Sequence, residues 1–327
     1  MLSYSIRRLA VSIPIVVVSS FVVFVMVATS GNPVNDLKAR NPPPSPQVIH
    51  ALEHRLWLDQ GLFERYWHWI KGLVLHGNFG PSVNPTDNIR TEIVSRLGVT
   101  LRLVFAAMIL ALILAVVVGV ISAVKQYSVT DYTATFFGFL FLAMPSFWLA
   151  LLLKQGGIWA NEKMGDQVFY TIGEQSVPAP SGAWNNFTDI TGHMILPTIS
   201  LALISYAAWS RYQRGSMLEV LNSDYVRLAR AKGLSNRRVM VKHALRTALI
   251  PLATVTALDL AGIIGGAIIT ETVFQWHGMG DYLLQSIRSR DVFAVEAWLL
   301  VFAIVVILFN LIADLLYAVL DPRIRYD

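Results

Sequence analysis

The sequence predicts an all-α integral membrane protein with six transmembrane helices. Of its 327 residues, 55% are hydrophobic and only 14% charged, against roughly 25% charged in soluble domains. Six windows also reach the length a hydrocarbon core requires, about 20 apolar residues with a range of roughly 17 to 25. They are Leu9 to Ala28, Leu103 to Val124, Tyr132 to Leu153, Met194 to Ser210, Thr247 to Thr270 and Ala297 to Leu320. The first three carry no charge, the fifth holds Asp259 and the sixth Asp314; the fourth is the weakest, with 17 residues and Pro197 inside. There is no cysteine, which removes disulfides and thiolate metal sites.

Span 1 follows Arg7 and Arg8. A cleaved signal peptide would have an apolar core of about 7 to 15 residues, and this run is longer, so we read it as retained. Beyond it, Gly31-Asn-Pro33 and Pro42, Pro43, Pro44 and Pro46 form an extended linker. Ser45 is the expected N-cap and Pro46 the first residue of a helix. A second helix is expected from the one-faced stripe Leu62, Phe63, Tyr66, Trp69, Ile70 and Leu73. With Trp57, Trp67 and Trp69 nearby, it suits the membrane interface or a small folded cap over the outer ends of the spans. The cap is preferred, because Arg65 and Lys71 alone make no basic lipid-facing surface. The segment 154–193, rich in Gly, Pro, Asn and Trp without a periodic run, is expected to be irregular.

Orientation follows from Lys and Arg in the short connections, since positive loops stay cytoplasmic. Arg7, Arg8, Lys125, the basic residues of 211–246, Arg323 and Arg325 share one side, while the loops 154–193 and 271–296 carry only Lys154, Lys163, Arg288 and Arg290. Both termini are therefore expected in the cytoplasm. Arg90, Arg96 and Arg102 belong to the long loop 29–102, which escapes the rule.

The segment between Arg211 and Arg246 holds nine basic residues and two acidic ones, Glu219 and Asp224, a local charge of +7. Adhesion to anionic lipid would account for charge alone. The pattern suggests more: helix formers from Met217 to Lys232, Gly233 at the C′ position, and Ser235 to cap a second helix reaching the Ile250-Pro251 break. Tyr225, Ala229 and Gly233 fall four apart, a low ridge on which another backbone can rest.

This segment resembles the coupling loop of bacterial ABC-importer permeases, whose general pattern is Glu-Ala-Ala, three residues, Gly, nine residues, Ile-x-Leu-Pro. With Gly233 setting the frame, Arg227 takes the Glu position, Leu228 and Ala229 the Ala positions, and His243, Leu245 and Arg246 those of Ile, Leu and Pro. These departures are similar to the dipeptide/oligopeptide/nickel branch, with Tyr-Val-Arg-x-Ala-Arg-Ala-Lys-Gly and His-Ala-Leu-Arg. Gly77-Asn-Phe-Gly-Pro-Ser82, Pro145-Ser-Phe-Trp148, Glu271-Thr-Val-Phe274 and Leu320-Asp-Pro-Arg323 resemble the same branch, the long external loop pointing to its B-type subunit.

The resemblance implies a type I ABC importer permease fold: residues 1–30 as N-terminus and span 1, 31–98 external, 99–321 the permease domain with its coupling loop at 211–247, and 322–327 a cytoplasmic tail. It implies a multi-pass protein of the bacterial cell membrane that forms half of a pathway for peptides. The implied partners are a second homologous permease in a heterodimer, two ATP-binding cassette subunits or domains, an external substrate-binding protein, and membrane lipid, with no nucleic acid. ATP and Mg would sit on partner subunits, and no cofactor is expected in this chain. Arg227, Arg230, Lys232 and Arg237 are expected to make charge-assisted contacts with the ATPase. Ala229 and Gly233 would permit close approach and Tyr225 would pack at the edge, with Ala231 and His243 completing the loop.

In span 5, Gly262 and Gly266 stand at the spacing by which membrane helices approach closely. Asp259, mid-span, is expected to face an interior or aqueous route and to favour a peptide amino group. Glu271 ends the span, as a gate or, preferably, an interfacial carboxylate. Asp314 is expected to pair with Arg323 or Arg325.

No enzyme is expected. The chain lacks the GxxxxGK[ST] phosphate loop, the His-Glu-x-x-His zinc motif and the Gly-x-Ser-x-Gly elbow. Gly278-Met-Gly-Asp281 imitates an intramembrane aspartyl protease motif, but Asp281 lies eleven residues past span 5. Two rivals stand beside the importer reading. A nickel importer would use the external His50, His54, His68, His76, His193 and His277; a secondary transporter or channel would leave the cationic segment unexplained.

Overall fold

The computed structural model describes residues 2–39, 42 and 44–320. In chain order its helices are α1 (Leu2–Thr29), α2 (Val34–Lys38), α3 (Pro46–Arg55), α4 (Leu62–His76), α5 (Ile89–Val124), α6 (Val129–Ala143), α7 (Ser146–Met164), α8 (Ala183–Leu221), α9 (Asp224–Ala231), α10 (Asn236–Arg238), a π-helical stretch (Val239–Leu245), α11 (Arg246–Phe274), α12 (Met279–Arg288) and α13 (Val292–Leu320). No strand occurs among the described residues. Four helices, α1, α5, α8 and α13, are each long and apolar enough to cross a membrane. Two bent pairs bring the number among the described residues to six when each counts as one span. The partners expected for Asp314, Arg323 and Arg325, lie outside the described residues, as does the tail 322–327.

The third window, expected as one straight span, is broken: α6 and α7 meet at 109°. Pro145 is the cause. It disfavours helical backbone in the residue before it, and Met144 is extended at φ −76°, ψ 131°, so α6 stops and Pro145 becomes the N-cap of α7. The segment 154–193 is not irregular throughout, because α7 runs on to Met164 and α8 begins at Ala183. Gly156 and Gly157 are tolerated inside α7, and a Cβ on Gly157 would come within 2.7 Å of Leu196 Cδ1, so glycine there serves helix contact. Between the helices, Asn161 holds the loop, accepting from the backbone of Val168 and Phe169 and donating to Phe169 O.

The chain forms two compact units, one of Met1–Val99 with His277–Leu308, the other of Thr100–Trp276 with Phe309–Asp327. In the first, Val34, Leu52 and Leu56 make a small apolar core with Ile49, Leu58 and Val83. Ser45 precedes α3 in extended backbone as expected, but its side chain makes no capping bond; Pro46 has no N–H and presets the helical φ instead. Asp291 is buried and takes bonds from Ser82 Oγ (2.8 Å), Val83 N (2.7 Å) and Ala294 N (3.1 Å). It thereby caps α13 and ties the 82–83 segment to it, and its burial pushes its carboxyl above the usual range. Asp281 of the protease-like motif pairs with Arg96 at 3.1 Å.

The second unit is built on α8, which packs against α6, α7 and α11. Contact with α5 is close at Gly119, where a Cβ would come within 2.8 Å of Gln213 Cβ and 2.9 Å of Ser210 O. Backbone cannot yield as a flexible side chain does. Gly119→Val is therefore expected to destabilise the protein by about 1 to 3 kcal/mol, the usual range for overpacking; an unchanged thermal transition in detergent would contradict this.

Candidate coupling loop and pathway residues

The cationic segment is not one helix from 217 to 232. α8 ends at Leu221 and α9 starts at Asp224, separated by Asn222 and Ser223. Ser223 sits at the N-cap position but turns its hydroxyl back onto Val220 O at 2.6 Å. At the other end Gly233 adopts φ +76°, its N–H donates to Arg230 O at 2.9 Å, and Leu234 N–H reaches Ala229 O at 3.4 Å. Those two bonds define a Schellman motif with glycine at C′, as the sequence suggested. The expected break at Pro251 does not occur. Pro251 lies inside α11, where it removes the bond to Thr247 O without ending the helix; the irregularities fall on either side of it, in the π-helical stretch and at a 55° bend between Leu260 and Gly262.

α9 is amphipathic and rests on the bundle. Val226 and Ala229 join Ala123, Met217, Val220, Val239, Ala244 and Ala248 in one buried cluster. Ala229 was expected to offer a low surface to a partner; it is instead buried in the chain's own core, one position off the outward face. On α9, Tyr225, Arg227, Leu228, Arg230 and Ala231 are exposed, as are Lys232, Gly233 and Arg237 after it, with His243 of the π-helical stretch half-buried. Arg227 pairs with Asp224 at 2.9 Å, both in solvent, an arrangement worth little energy. A Cβ on Gly233 would meet nothing within 4 Å.

Two of the nine cations serve the fold. Arg211 lies over the Phe139 ring at 4.4 Å. Arg214 grips buried Asp131 with two bonds, Nε to Oδ1 at 2.8 Å and Nη2 to Oδ2 at 2.7 Å. Ser122 Oγ and Tyr127 N also donate to that carboxylate, so α5, α6 and α8 are joined at one point. Sequence reasoning missed Asp131, although a signal existed: Ser128-x-x-Asp131 is a capping pattern, and Asp131 N does donate to Ser128 Oγ at 3.3 Å.

In α11, Asp259 is exposed and receives Trp209 Nε1 at 2.8 Å. Leu258 and Gly262 share that open side, whereas Gly266 packs inward, where a Cβ would lie 3.4 Å from Leu201. Four residues apart, the two glycines lie on one side of α11, Gly262 open and Gly266 against Leu201 of α8. Glu271, expected at an interface with water, is fully buried and accepts a bond from Thr100 Oγ1. The end of α11 is closed by Lys154 Nζ on Val273 O at 2.7 Å and by Gly173 N on Phe274 O at 2.9 Å. A cation on these last carbonyls complements the helix dipole, which explains a lysine at the edge of an apolar window. Of the histidines expected on the external side, His193 is buried with its ring stacked on Tyr170 and Nδ1 2.9 Å from Asp189 O, and His68 bonds Gln60.

Apolar helices long enough to span a membrane, with a solvent-facing cationic helix–glycine–helix between two of them, define the class as helical integral membrane proteins. Residues 115–326 match the family described as binding-protein-dependent transport system inner membrane component, and residues 1–104 match its N-terminal membrane component family; the chain belongs to this family of transport-system permeases. It is 39% identical over 325 residues to the oligopeptide transport system permease protein OppB of Mycobacterium tuberculosis (strain ATCC 25618 / H37Rv), covering 99% of each chain. It is 38% identical over 342 residues to the dipeptide transport system permease protein DppB of Escherichia coli (strain K12), covering 100% of this chain and 99% of that one. A chain of the MetNI methionine ABC transporter, solved in inward-facing conformations, matches the fold with a TM-score of 0.57 at 16% identity, over 72% of this chain and 99% of that one.

Proposed function

We propose that this chain is the B-type permease of an ATP-driven importer of dipeptides or oligopeptides, forming half of the pathway with a second, homologous permease. Its relatives over the full length are named as peptide permeases, and the observation that carries the coupling role is the outward face of α9. There a glycine-capped helix on an apolar cluster, with the turn and helix that follow it, presents Tyr225, Arg227, Arg230, Lys232 and Arg237 to solvent. Two ATPase subunits with ATP and Mg dock on this face and its counterpart, and an external binding protein delivers the peptide. Both termini and residues 211–247 lie in the cytoplasm, with 31–98 outside and 99–321 forming the permease domain. Charge-assisted bonds of about 1.5 to 3 kcal/mol each are sufficient to hold such a dock.

Purification of the complex with its soluble partners, followed by uptake of labelled peptides into vesicles with and without ATP, tests the reading. Cross-linking of residue 233 to an ATPase subunit is expected; cross-links only to the external binding protein would overturn it. Asp259, exposed beside Gly262, borders the peptide route in this reading. Asp259→Asn keeps the acceptor for Trp209 and removes the charge, so uptake of peptides with a free amino terminus is expected to fall relative to N-acetylated ones. Equal uptake ratios in the two proteins would remove Asp259 from the route.

A further inference from the structure

Helix α4 has three faces of different chemistry. One packs on α1: the Tyr66 hydroxyl donates to Val17 O at 3.1 Å and lies 2.6 Å from Ser20 Oγ. Its ring meets those of Phe21 and Phe24 edge-on, centroids 5.0 and 5.4 Å apart. A second flank carries Phe63, Trp67 and Val74, which are 70%, 57% and 76% exposed. About 90° further round the helix runs a stripe of Glu64, His68 and Lys71, all exposed, which Leu75 continues at the end of the helix.

The level at which α4 meets α1 decides what the apolar flank touches. Ser20 lies nine residues before Thr29, the last residue of α1, which is about 13 Å down a helix rising about 1.5 Å per residue. Between the two, α1 still presents exposed Val22 and Met26, side chains that face acyl chains in a membrane span. The Phe63 ring stands 6.4 Å from that of Phe21, so the apolar flank of α4 continues the exposed apolar surface of α1. A cap in water would instead leave three large apolar groups side by side in solvent.

We propose that residues 62–76 lie within the leaflet at the Thr29 end of α1, with Phe63, Trp67 and Val74 against phospholipid acyl chains and Glu64, His68 and Lys71 toward headgroups and water. The contact at Ser20 lies deeper than the about 5 to 10 Å at which interfacial helices usually sit, so the apolar flank reaches past the headgroups to the acyl chains, and Trp67 is of the residue type that forms aromatic belts. No basic face is needed, because α1 supplies the attachment that charge supplies elsewhere. The leaflet is the outer one in the orientation proposed above. The inference depends on α1 as a span and not on the identity of the substrate.

The absence of native cysteine makes the test direct. Single variants Phe63→Cys, Trp67→Cys, Val74→Cys, Glu64→Cys, His68→Cys and Lys71→Cys are spin-labelled in the full chain with its partner subunits. The complexes are reconstituted in phosphatidylethanolamine and phosphatidylglycerol vesicles, with Val18→Cys as the control within α1. Collisions with oxygen are expected to exceed those with a water-soluble nickel chelate severalfold at 63, 67 and 74, as at 18, and the order to reverse at 64, 68 and 71. Chelate collisions dominating at 63, 67 and 74 would overturn the proposal in favour of a water-exposed cap. Low collision rates with both probes there would overturn it in favour of a protein partner on that flank. A control at 18 without the lipid signal would remove α1 as a span and the proposal with it, leaving uptake measurements to judge the importer reading separately.

Discussion

Gly233→Val is expected to reduce ATP-driven uptake by about one to two orders of magnitude while the chain still inserts and folds. Two effects act together. Gly233 holds φ +76°, a conformation that costs an L-residue roughly 1 to 2 kcal/mol. The side chain would also project from the outward face of α9, where nothing in this chain lies within 4 Å. Insertion should therefore survive, while two methyls in a close backbone contact with the ATPase cost about 1 to 3 kcal/mol, or roughly tenfold to a hundredfold in affinity. Gly233→Asn separates the causes, because Asn tolerates the left-handed region. Its uptake should also fall, measured against binding of the ATPase to the solubilised complex. Normal uptake by the Asn variant would reduce the glycine to a backbone requirement and deny it a docking role.

Arg214→Ala is expected to cost about 3 to 5 kcal/mol of stability, the usual result of stripping the partner from a buried ion. Asp131 is nearly fully buried, whereas Arg214 keeps 28% of its side-chain surface. Asp131→Asn should therefore cost less than Arg214→Ala, because a freed guanidinium can extend to solvent on its aliphatic stem and a freed buried carboxylate cannot. The thermal transition of the detergent-solubilised chain, read for both single variants and the double variant, measures the coupling. Equal small losses in both single variants would mean that the pair is a surface contact. Since Ser122 and Arg214 neighbour Ala123 and Met217 of the apolar cluster, the pair braces the platform on which α9 rests.

Much of this was legible before any coordinates. The hydropathy windows at spans 1, 2 and 6 lie within single long helices, α1, α5 and α13, because burial in hydrocarbon is a property of composition over about 20 residues. The C′ role of Gly233 was legible for a similar reason, since backbone conformation at a helix end is chosen locally. Pro145 and Pro251 show the limit. Each lies within an apolar window or at its edge, yet one breaks the chain at 109° and the other stays inside a helix. The difference lies in the backbone of the residue before each proline, extended at Met144 and helical at Ile250, which the local sequence does not state.

Composition and local pattern thus established the apolar segments, the cationic helix–glycine–helix and the left-handed cap, each a matter of a few consecutive residues. The assignment of charged and small groups to inward or outward roles came from packing. Arg214 meets Asp131 across 83 residues, Lys154 meets Val273 across 119, and Thr100 meets Glu271 across 171. Contacts at such separation leave no period in the chain, and turning a helix by one position, as at Ala229, exchanges a docking surface for a core without changing its composition.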